Sequence, residues 1–382
     1  MRKLLLLFAF VLVGTQLNGR DITFFSIGDT QYGGGGSQNA DKNKYARQAI
    51  LAAIENMRWP ENSSFAGQKL EPRGLVMPGD LTQNGTIEEL EGYMQTFYTL
   101  PMPVYDGLGN HDFKSAETVY AIINKLNDKR KDFPDIIKRD DKGHYAWMWE
   151  DVLFIQLNLK PSDVVKGKYD PMFALTFLKN TLSEFATPKT PIVILSHYGV
   201  DPYGRRKKKK WWGKSERSDF LETIEGYNVI AFIHGHHHGT YFYKWHGIDC
   251  FNVGSPFYNN YIEGGEWKEL GDEVTEGAKA AWKSVKTFKK NKKKRVYSAY
   301  YNRDNKGHFT VFRITDEYLE AYDVGFGQKE KSKKPYWDTK WENISTHKTG
   351  FFKKSLAQPV SFFQKLGNKI KFAFSGLFKR KA

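Results

Sequence analysis

Across residues 22–255 short apolar runs alternate with stretches of helical period, and most junctions are tight turns containing glycine. Residues 22–27 are rich in β-formers and close at Gly28-Asp29, which predicts a strand. Over 45–57 the apolar positions Ile50, Leu51, Ile54 and Met57 share one side of a helix. Residues 75–77 predict a short buried strand ending at Gly79-Asp80, followed by a helix over about 86–98. Residues 104–108 lead into Gly109-Asn110-His111-Asp112, and a helix over 116–126 comes next. Residues 145–149 and 152–157 predict a hairpin around Glu150-Asp151. A helix over 173–185 precedes a strand over 192–195 that ends at Ser196-His197. A short helix over 220–224 precedes a strand over 229–233, which runs into His234-Gly235-His236-His237-His238. The runs 240–244, 296–300 and 309–314 look like antiparallel additions. Strands alternating with helices and then a β-rich end predict an α/β sandwich with its helices outside.

Five of these strands end in polar or ionisable residues: Asp29 with Gln31, Asp80, Asn110 with His111, His197, and His236 with His238. Ligand sites in open α/β sheets gather beyond the carboxyl ends of the strands, so distant residues are expected to converge there. Singly each piece is weak. Gly79-Asp80 is an ordinary turn, and a histidine after an apolar run is more often a core residue than a ligand. Leaving His111 aside, they supply two aspartates, an asparagine, a glutamine and three histidines, a mixed oxygen and nitrogen set suited to Mn, Fe or Zn. The single cysteine, Cys250, excludes a disulfide framework and any thiolate-built zinc or iron–sulfur site. Its strand-like neighbours predict a buried, structural thiol.

The motifs Gly28-Asp29-Thr30-Gln31, Gly79-Asp80-Leu81-Thr82-Gln83-Asn84-Gly85, Gly109-Asn110-His111-Asp112, Ser196-His197 and Gly235-His236-His237-His238 occur in that order. This series closely resembles the calcineurin-like metallophosphoesterase superfamily over about residues 22–255. The resemblance implies a four-layer α/β/β/α sandwich with a metal site at the strand C-terminal ends. It implies a hydrolase of phosphomonoesters or phosphodiesters in which two divalent cations (Mn, Fe or Zn) hold a bridging hydroxide as nucleophile. Carried over by motif, Asp29, Gln31, Asp80 and His238 would hold one cation; Asp80, Asn110, His197 and His236 would hold the other. His111 would protonate the leaving oxygen or bind the phosphoryl group, and Asp112 would orient that imidazole. Gln31 stands where a histidine is common, and Gln83 where an acidic residue is frequent. His234 and His237 have no assigned place and are read as supporting residues.

Charge changes the picture at the ends. The net charge is +15, yet residues 329–382 alone hold 14 basic against 3 acidic side chains. Within that tail Phe363, Leu366, Ile370, Phe374 and Leu377 recur at helical spacing amid lysines, so an anionic membrane surface is one expected partner beside the phosphorylated substrate. A helix docked on the catalytic domain has the same period. Arg2 and Lys3 before the apolar run 4–13 give the layout of a signal peptide over 1–19, which predicts export to a periplasm or cell surface and disfavours nucleic acid as partner. The chain thus divides into signal, catalytic domain over 20–328, and basic amphipathic tail. Residues 201–218, with Arg205 to Lys210, Trp211 and Trp212, read as a rim insertion for a polyanion or a phosphorylated headgroup, or as a solvated loop. A second function class, a non-catalytic surface-binding protein on the same scaffold, is disfavoured by the retained His111 and metal positions.

Overall fold

The computed structural model describes residues 19–33, 37–61, 63–200, 212–257, 259–262, 269–270, 301–304, 306–328, 335–337 and 342–347. The apolar N-terminal run, the basic run 205–210, the expected strand over 296–300 and the amphipathic C-terminal stripe lie outside the described residues.

The chain runs β1 (Asp21–Ser26), α1 (Ser37–Asn56), β2 (Leu75–Met77), α2 (Ile87–Phe97), β3 (Val104–Asp106) and α3 (Val119–Arg130). It continues through β4 (Ile136–Arg139), β5 (Tyr145–Trp149), β6 (Val152–Gln156), α4 (Ala174–Phe185), β7 (Pro191–Leu195), α5 (Lys214–Ile224) and β8 (Asn228–His234). A strand-rich end follows: β9 (Tyr241–Trp245), β10 (Ile248–Asn252), β11 (Asn259–Ile262), β12 (Glu269–Leu270), β13 (Tyr301–Asp304), β14 (Gly307–Thr315), β15 (Leu319–Gln328), β16 (Pro335–Trp337) and β17 (Glu342–His347). One sheet has the order β16-β15-β14-β1-β2-β3, with β17 also on β15; the other has the order β12-β9-β10-β8-β7-β6-β5-β4. Its parallel centres, β1-β2-β3 in one sheet and β6-β7-β8-β10 in the other, send their C-terminal ends toward the loops that carry the site motifs.

Period-2 alternation explains the layering. In β1, Ile22 and Phe24 enter the space between the sheets, while Phe25 joins Ala46, Ala49, Ile50 and Ala53 of α1 on the other face. Phe24 stacks on its register partner Phe312 at 4.9 Å and meets Phe154 of the second sheet edge-on at 5.5 Å. Trp147, Trp149, Leu195 and Phe251 fill the same interior. On the outer face of the second sheet, Phe220 of α5 stacks on Trp245 at 5.9 Å and packs near Phe232. Two sheets flanked by helices are therefore the architecture, a mixed α/β sandwich.

Several elements depart from the sequence reading. α1 starts well before Tyr45, and α3 is displaced toward its C-terminal end, to Arg130. Arg130 donates to the Asp106 carboxylate and carbonyl, and the Tyr93 and Tyr98 hydroxyls each reach that carboxylate at 2.9 Å. This buried polar anchor gives α3 a reason to run one turn further than its apolar stripe. β4 was not anticipated, because its half-buried edge alternates only weakly. Neither was β15, where polar and glycine positions interrupt the run; its glutamate and aspartate are buried by specific partners. Strands β16 and β17 extend the first sheet beyond residue 328. Cys250 is buried in β10 beside Phe232 of β8.

Candidate metal centre

The loops after β1, β2, β3, β7 and β8 are zipped to one another by backbone hydrogen bonds. Asp29 N donates to Gly79 O at 3.1 Å, Gln31 N to Asp80 O at 2.8 Å, and Gly235 N to His197 O at 3.2 Å. Five non-glycine residues there take left-handed backbone: Asp29 (φ 52°), Gln31 (36°), Asp80 (58°), His236 (74°) and His238 (49°). Each such residue costs about 1 kcal/mol or more, and so many in one place mark a site held in shape by its surroundings. Gly109 is required by close approach: a Cβ there would lie 2.5 Å from Asp80 N and 2.7 Å from His197 Cγ.

The side chains then converge. His197 Nε2 lies 3.2 Å from Asp80 Oδ2 and 3.2 Å from Asn110 Oδ1. Ligand atoms of Asp80, His197 and His236 all fall within 4.8 Å of one another, a group able to hold a metal ion. Asp29 accepts the His236 amide with both oxygens, at 3.1 and 2.9 Å, and His238 Nε2 stands 3.5 Å from Asp29 Oδ1. Gln31 meets Asp80 Oδ2 (3.2 Å) and His238 Nε2 (3.3 Å) through its amide nitrogen, so it contacts the cluster as a donor. The His111 amide donates to Asp80 Oδ1 at 2.7 Å, and its ring Nε2 stands 3.9 Å from Asp80 Oδ2.

Electrostatics define what the cluster lacks. Burial pushes the Asp29 carboxyl up to about 8, with His197 opposing and Asp80 adding to the rise. Burial acts on Asp80 in the same sense, but the charge and hydrogen bond of His197, helped by His111, outweigh it and hold Asp80 below the usual carboxylate range. His197 loses protonation to burial and regains more from Asp80, Asp29 and Asp112, so its pKa is raised. Burial, then His197 and His237, push His236 well down, which keeps it a neutral nitrogen donor. Burial also lowers His111, despite Asp80 and the Gln83 carbonyl. A buried acid, Asp29, whose charge the chain leaves uncompensated, the neutral His236 imidazole and a buried His197 Nδ1 without a hydrogen-bond partner among the described residues make a donor set that fits divalent cations.

Two expected roles need correction. Asp112 does not touch the His111 imidazole. Its buried carboxylate accepts from Leu81 N (3.2 Å), Thr82 N (2.8 Å), Thr82 Oγ1 (2.6 Å) and Gly109 N (2.9 Å), stapling the Asp80 loop to the Asn110 loop. Burial and the nearby Asp80 still raise it to about 7. His111 is oriented instead by the Gln83 carbonyl, 2.8 Å from Nδ1; a carbonyl only accepts, so Nδ1 carries the proton. Trp212 is no rim residue: it is buried against Phe220 at 5.4 Å and Phe232 at 6.1 Å. Trp211 lies outside the described residues.

His234 is buried, its Nε2 2.9 Å from the Tyr243 hydroxyl, and supports the loop from below. His237 packs edge-on to His236 at 5.4 Å. Sequence reasoning missed Gln83, which acts through backbone and so leaves no side-chain pattern, and Tyr198, whose ring meets His236 at 4.7 Å. Tyr198 follows the His197 motif directly, a position from which a flanking aromatic could have been read.

A family model described as calcineurin-like phosphoesterase matches residues 22–240. A protein of Arcobacter nitrofigilis, named as a probable glycerophosphodiester phosphodiesterase, is 26% identical over 194 residues, covering 49% of this chain and 64% of that relative. Among solved structures, Plasmodium GAP50, titled the anchor in the inner membrane complex, aligns over 86% of this chain and 88% of its own at 14% identity and a TM-score of 0.48. A Staphylococcus aureus protein titled as a 5′-nucleotidase covers 86% of this chain and 53% of its own at 13% identity and a TM-score of 0.39.

Proposed function

The chain belongs to the calcineurin-like phosphoesterase family, and from that premise we propose that it is a dinuclear, metal-dependent phosphoester hydrolase. The observation that carries this reading is the meeting of Asp80, Asn110, His197 and His236 from both sheets, with Asp29 and His238, 3.5 Å apart, joined to Asp80 through Gln31. Asp80 would serve both cations; Asp29 and His238 would complete the ligands of one, and Asn110, His197 and His236 those of the other. Gln31 steadies Asp80 and His238 through its amide nitrogen. When bound, divalent cations of the Mn, Fe or Zn kind supply positive charge for the phosphoryl oxygens and acidify a water.

The chain's own residues do the rest. With its proton on Nδ1, His111 presents Nε2 toward Asp80. In that neutral ring Nε2 accepts or binds; donation to a leaving oxygen requires the imidazolium, which an arriving phosphoryl anion favours. The substrate class is a phosphoester, and the name of the Arcobacter relative supports testing diesters beside monoesters. Hydrolysis of 4-nitrophenyl phosphate and bis(4-nitrophenyl) phosphate with Mn²⁺ added to chelated protein is the assay. Asp80→Ala should abolish activity and metal binding together; undiminished turnover in that variant would remove the site assignment.

Of residues 329–382, the basic amphipathic stretch beyond β17 is proposed to attach the enzyme to anionic lipid, on the strength of its charge and apolar spacing. Deleting 350–382 should abolish salt-sensitive binding to vesicles containing phosphatidylserine and leave hydrolysis of soluble esters intact. Unchanged vesicle binding would refute the attachment.

A further inference from the structure

On the His111 side of the cluster two ammonium groups stand without an acidic partner among the described residues. Lys114 Nζ donates to the Gln83 carbonyl, the same oxygen that holds His111 Nδ1. Lysine and imidazole are thus joined through one acceptor, next to the carboxylate that His111 faces. Lys168 Nζ donates to the Lys114 carbonyl at 3.4 Å, bringing a second cation to the same lip. It rides on a turn closed by reciprocal backbone hydrogen bonds between Lys166 and Tyr169, at 3.1 and 3.2 Å. Among the described residues neither Lys114 nor Lys168 joins an ion pair, whereas Lys125, Lys160 and Lys166 each do; Lys168 Nζ lies 5.6 Å from the centre of the Tyr169 ring.

A tether alone does not explain Lys114. Holding a backbone carbonyl needs a donor, not a charge, and a half-buried ammonium without a counter-ion is costly. Burial pushes Lys114 below its ordinary value, Asp80 and Glu89 draw it upward, and Lys168 pushes it down again, so it feels the cluster and the second lysine together. The Tyr169 hydroxyl is pushed up by burial and by Asp80, which puts the turn bearing Lys168 within the field of the same carboxylate. Two adjacent cations beside the imidazole of a phosphoester site are complementary to a dianion that arrives with the substrate.

We propose that Lys114 and Lys168 form a second anion subsite beside His111, selecting phosphoesters whose leaving group carries a further phosphate. The inference rests on the hydrolase reading above, because His111 defines the leaving-group side only if the cluster binds the scissile phosphate. These are specificity residues, not catalytic ones.

The test is calorimetric, on full-length protein loaded with Mn²⁺, using methylphosphonate and 1,2-ethylenediphosphonate as non-hydrolysable probes. The wild type should prefer the diphosphonate by about tenfold or more, on the scale of a charge-assisted contact. Lys168→Gln, which leaves the Gln83 carbonyl untouched, and Lys114→Gln should each cut that preference about three- to tenfold, and Lys114→Arg should restore most of it. A preference that survives both glutamine variants, or none in the wild type, overturns the subsite. If the wild type hydrolyses nitrophenyl esters and binds methylphosphonate while this preference is absent, the subsite fails and the hydrolase reading stands. If it binds neither probe and hydrolyses neither ester, both fall.

Discussion

Replacing Glu216 by glutamine tests how the segment after the His197 motif is anchored. Glu216 is buried at the start of α5; it accepts from Lys160, Lys166 and the Gly213 amide, and from Ser162 Oγ at 2.8 Å. Burial alone would raise this carboxyl, but the two lysines and the neutral donors outweigh it and bring it to about 2 from 4.5. A depression of that size is linked to at most about 3 kcal/mol of stability. Lys166 is about half exposed, so screening reduces its share, and about 2 kcal/mol at pH 7 is the working figure. Glu216→Gln preserves shape but leaves Lys160, itself buried and already pushed below its ordinary value by burial, without its counter-charge.

The sign follows from the direction of the shift. A folded-state pKa below the unfolded one gives stability that is full above about 4.5 and is lost as pH falls through about 2. Urea unfolding at pH 7 and at pH 3.5 should therefore show wild type more stable than Glu216→Gln at the higher pH, with the gap reduced by roughly a third to a half at the lower one. Equal stability at pH 7, or a gap that widens on acidification, would refute the reasoning.

His111→Ala should slow alkyl phosphates about 10²–10⁴-fold while sparing nitrophenyl esters, because only poor leaving groups need the proton; equal losses on both would assign His111 to phosphoryl binding instead. Gly109→Ala should lower Mn²⁺ affinity at least about tenfold by calorimetry, since the added Cβ meets Asp80 N and His197 Cγ, atoms that cannot yield without moving the centre. Unchanged affinity there would mean the loops are softer than their cross-bonded backbone implies.

The parts of the fold legible in the sequence were those in which periodicity and punctuation agree. β1, β2, β3, β7 and β8 are short apolar runs stopped by Gly-Asp, Gly-Asn, Ser-His or His-Gly, and each stop is also where a candidate site residue sits. Asp29, Asp80, Asn110, His197, His236 and His238 could be named because motif position and strand end coincide. Roles that depend on direction rather than position were not legible. Asp112 follows His111 in sequence but points its carboxylate back at the amides of Leu81, Thr82 and Gly109, and the atom that orients His111 is a main-chain oxygen. Trp212 beside a basic run reads as exposed, yet a neighbouring helix and strand offered Phe220 and Phe232 to cover it. β15 stayed hidden because Glu320 and Asp323 break its apolar pattern, and only tertiary partners, Ser63 and His308, make those acids tolerable inside.

The buried acids around the site differ in who neutralises them, and that difference separates scaffold from chemistry. Asp106, under the Asn110 loop, is answered by Arg130 and two tyrosine hydroxyls, so it fixes the end of β3 with the chain's own charge. Asp112 is answered by three backbone amides and a threonine hydroxyl, so it fixes one loop against another without any cation. Asp29 receives one amide, from His236, shared between its two oxygens. Asp80 is shared by His111, Gln31 and His197, none of them a permanent cation. The protein therefore satisfies with its own donors the acids it uses for shape, leaves Asp29 raised where positive charge must come from outside, and holds Asp80 low only through histidines whose charge a bound cation would replace. Their left-handed backbones, at φ 52° and 58°, are tolerable only because the two satisfied acids and the cross-loop hydrogen bonds over-determine the loops that carry them.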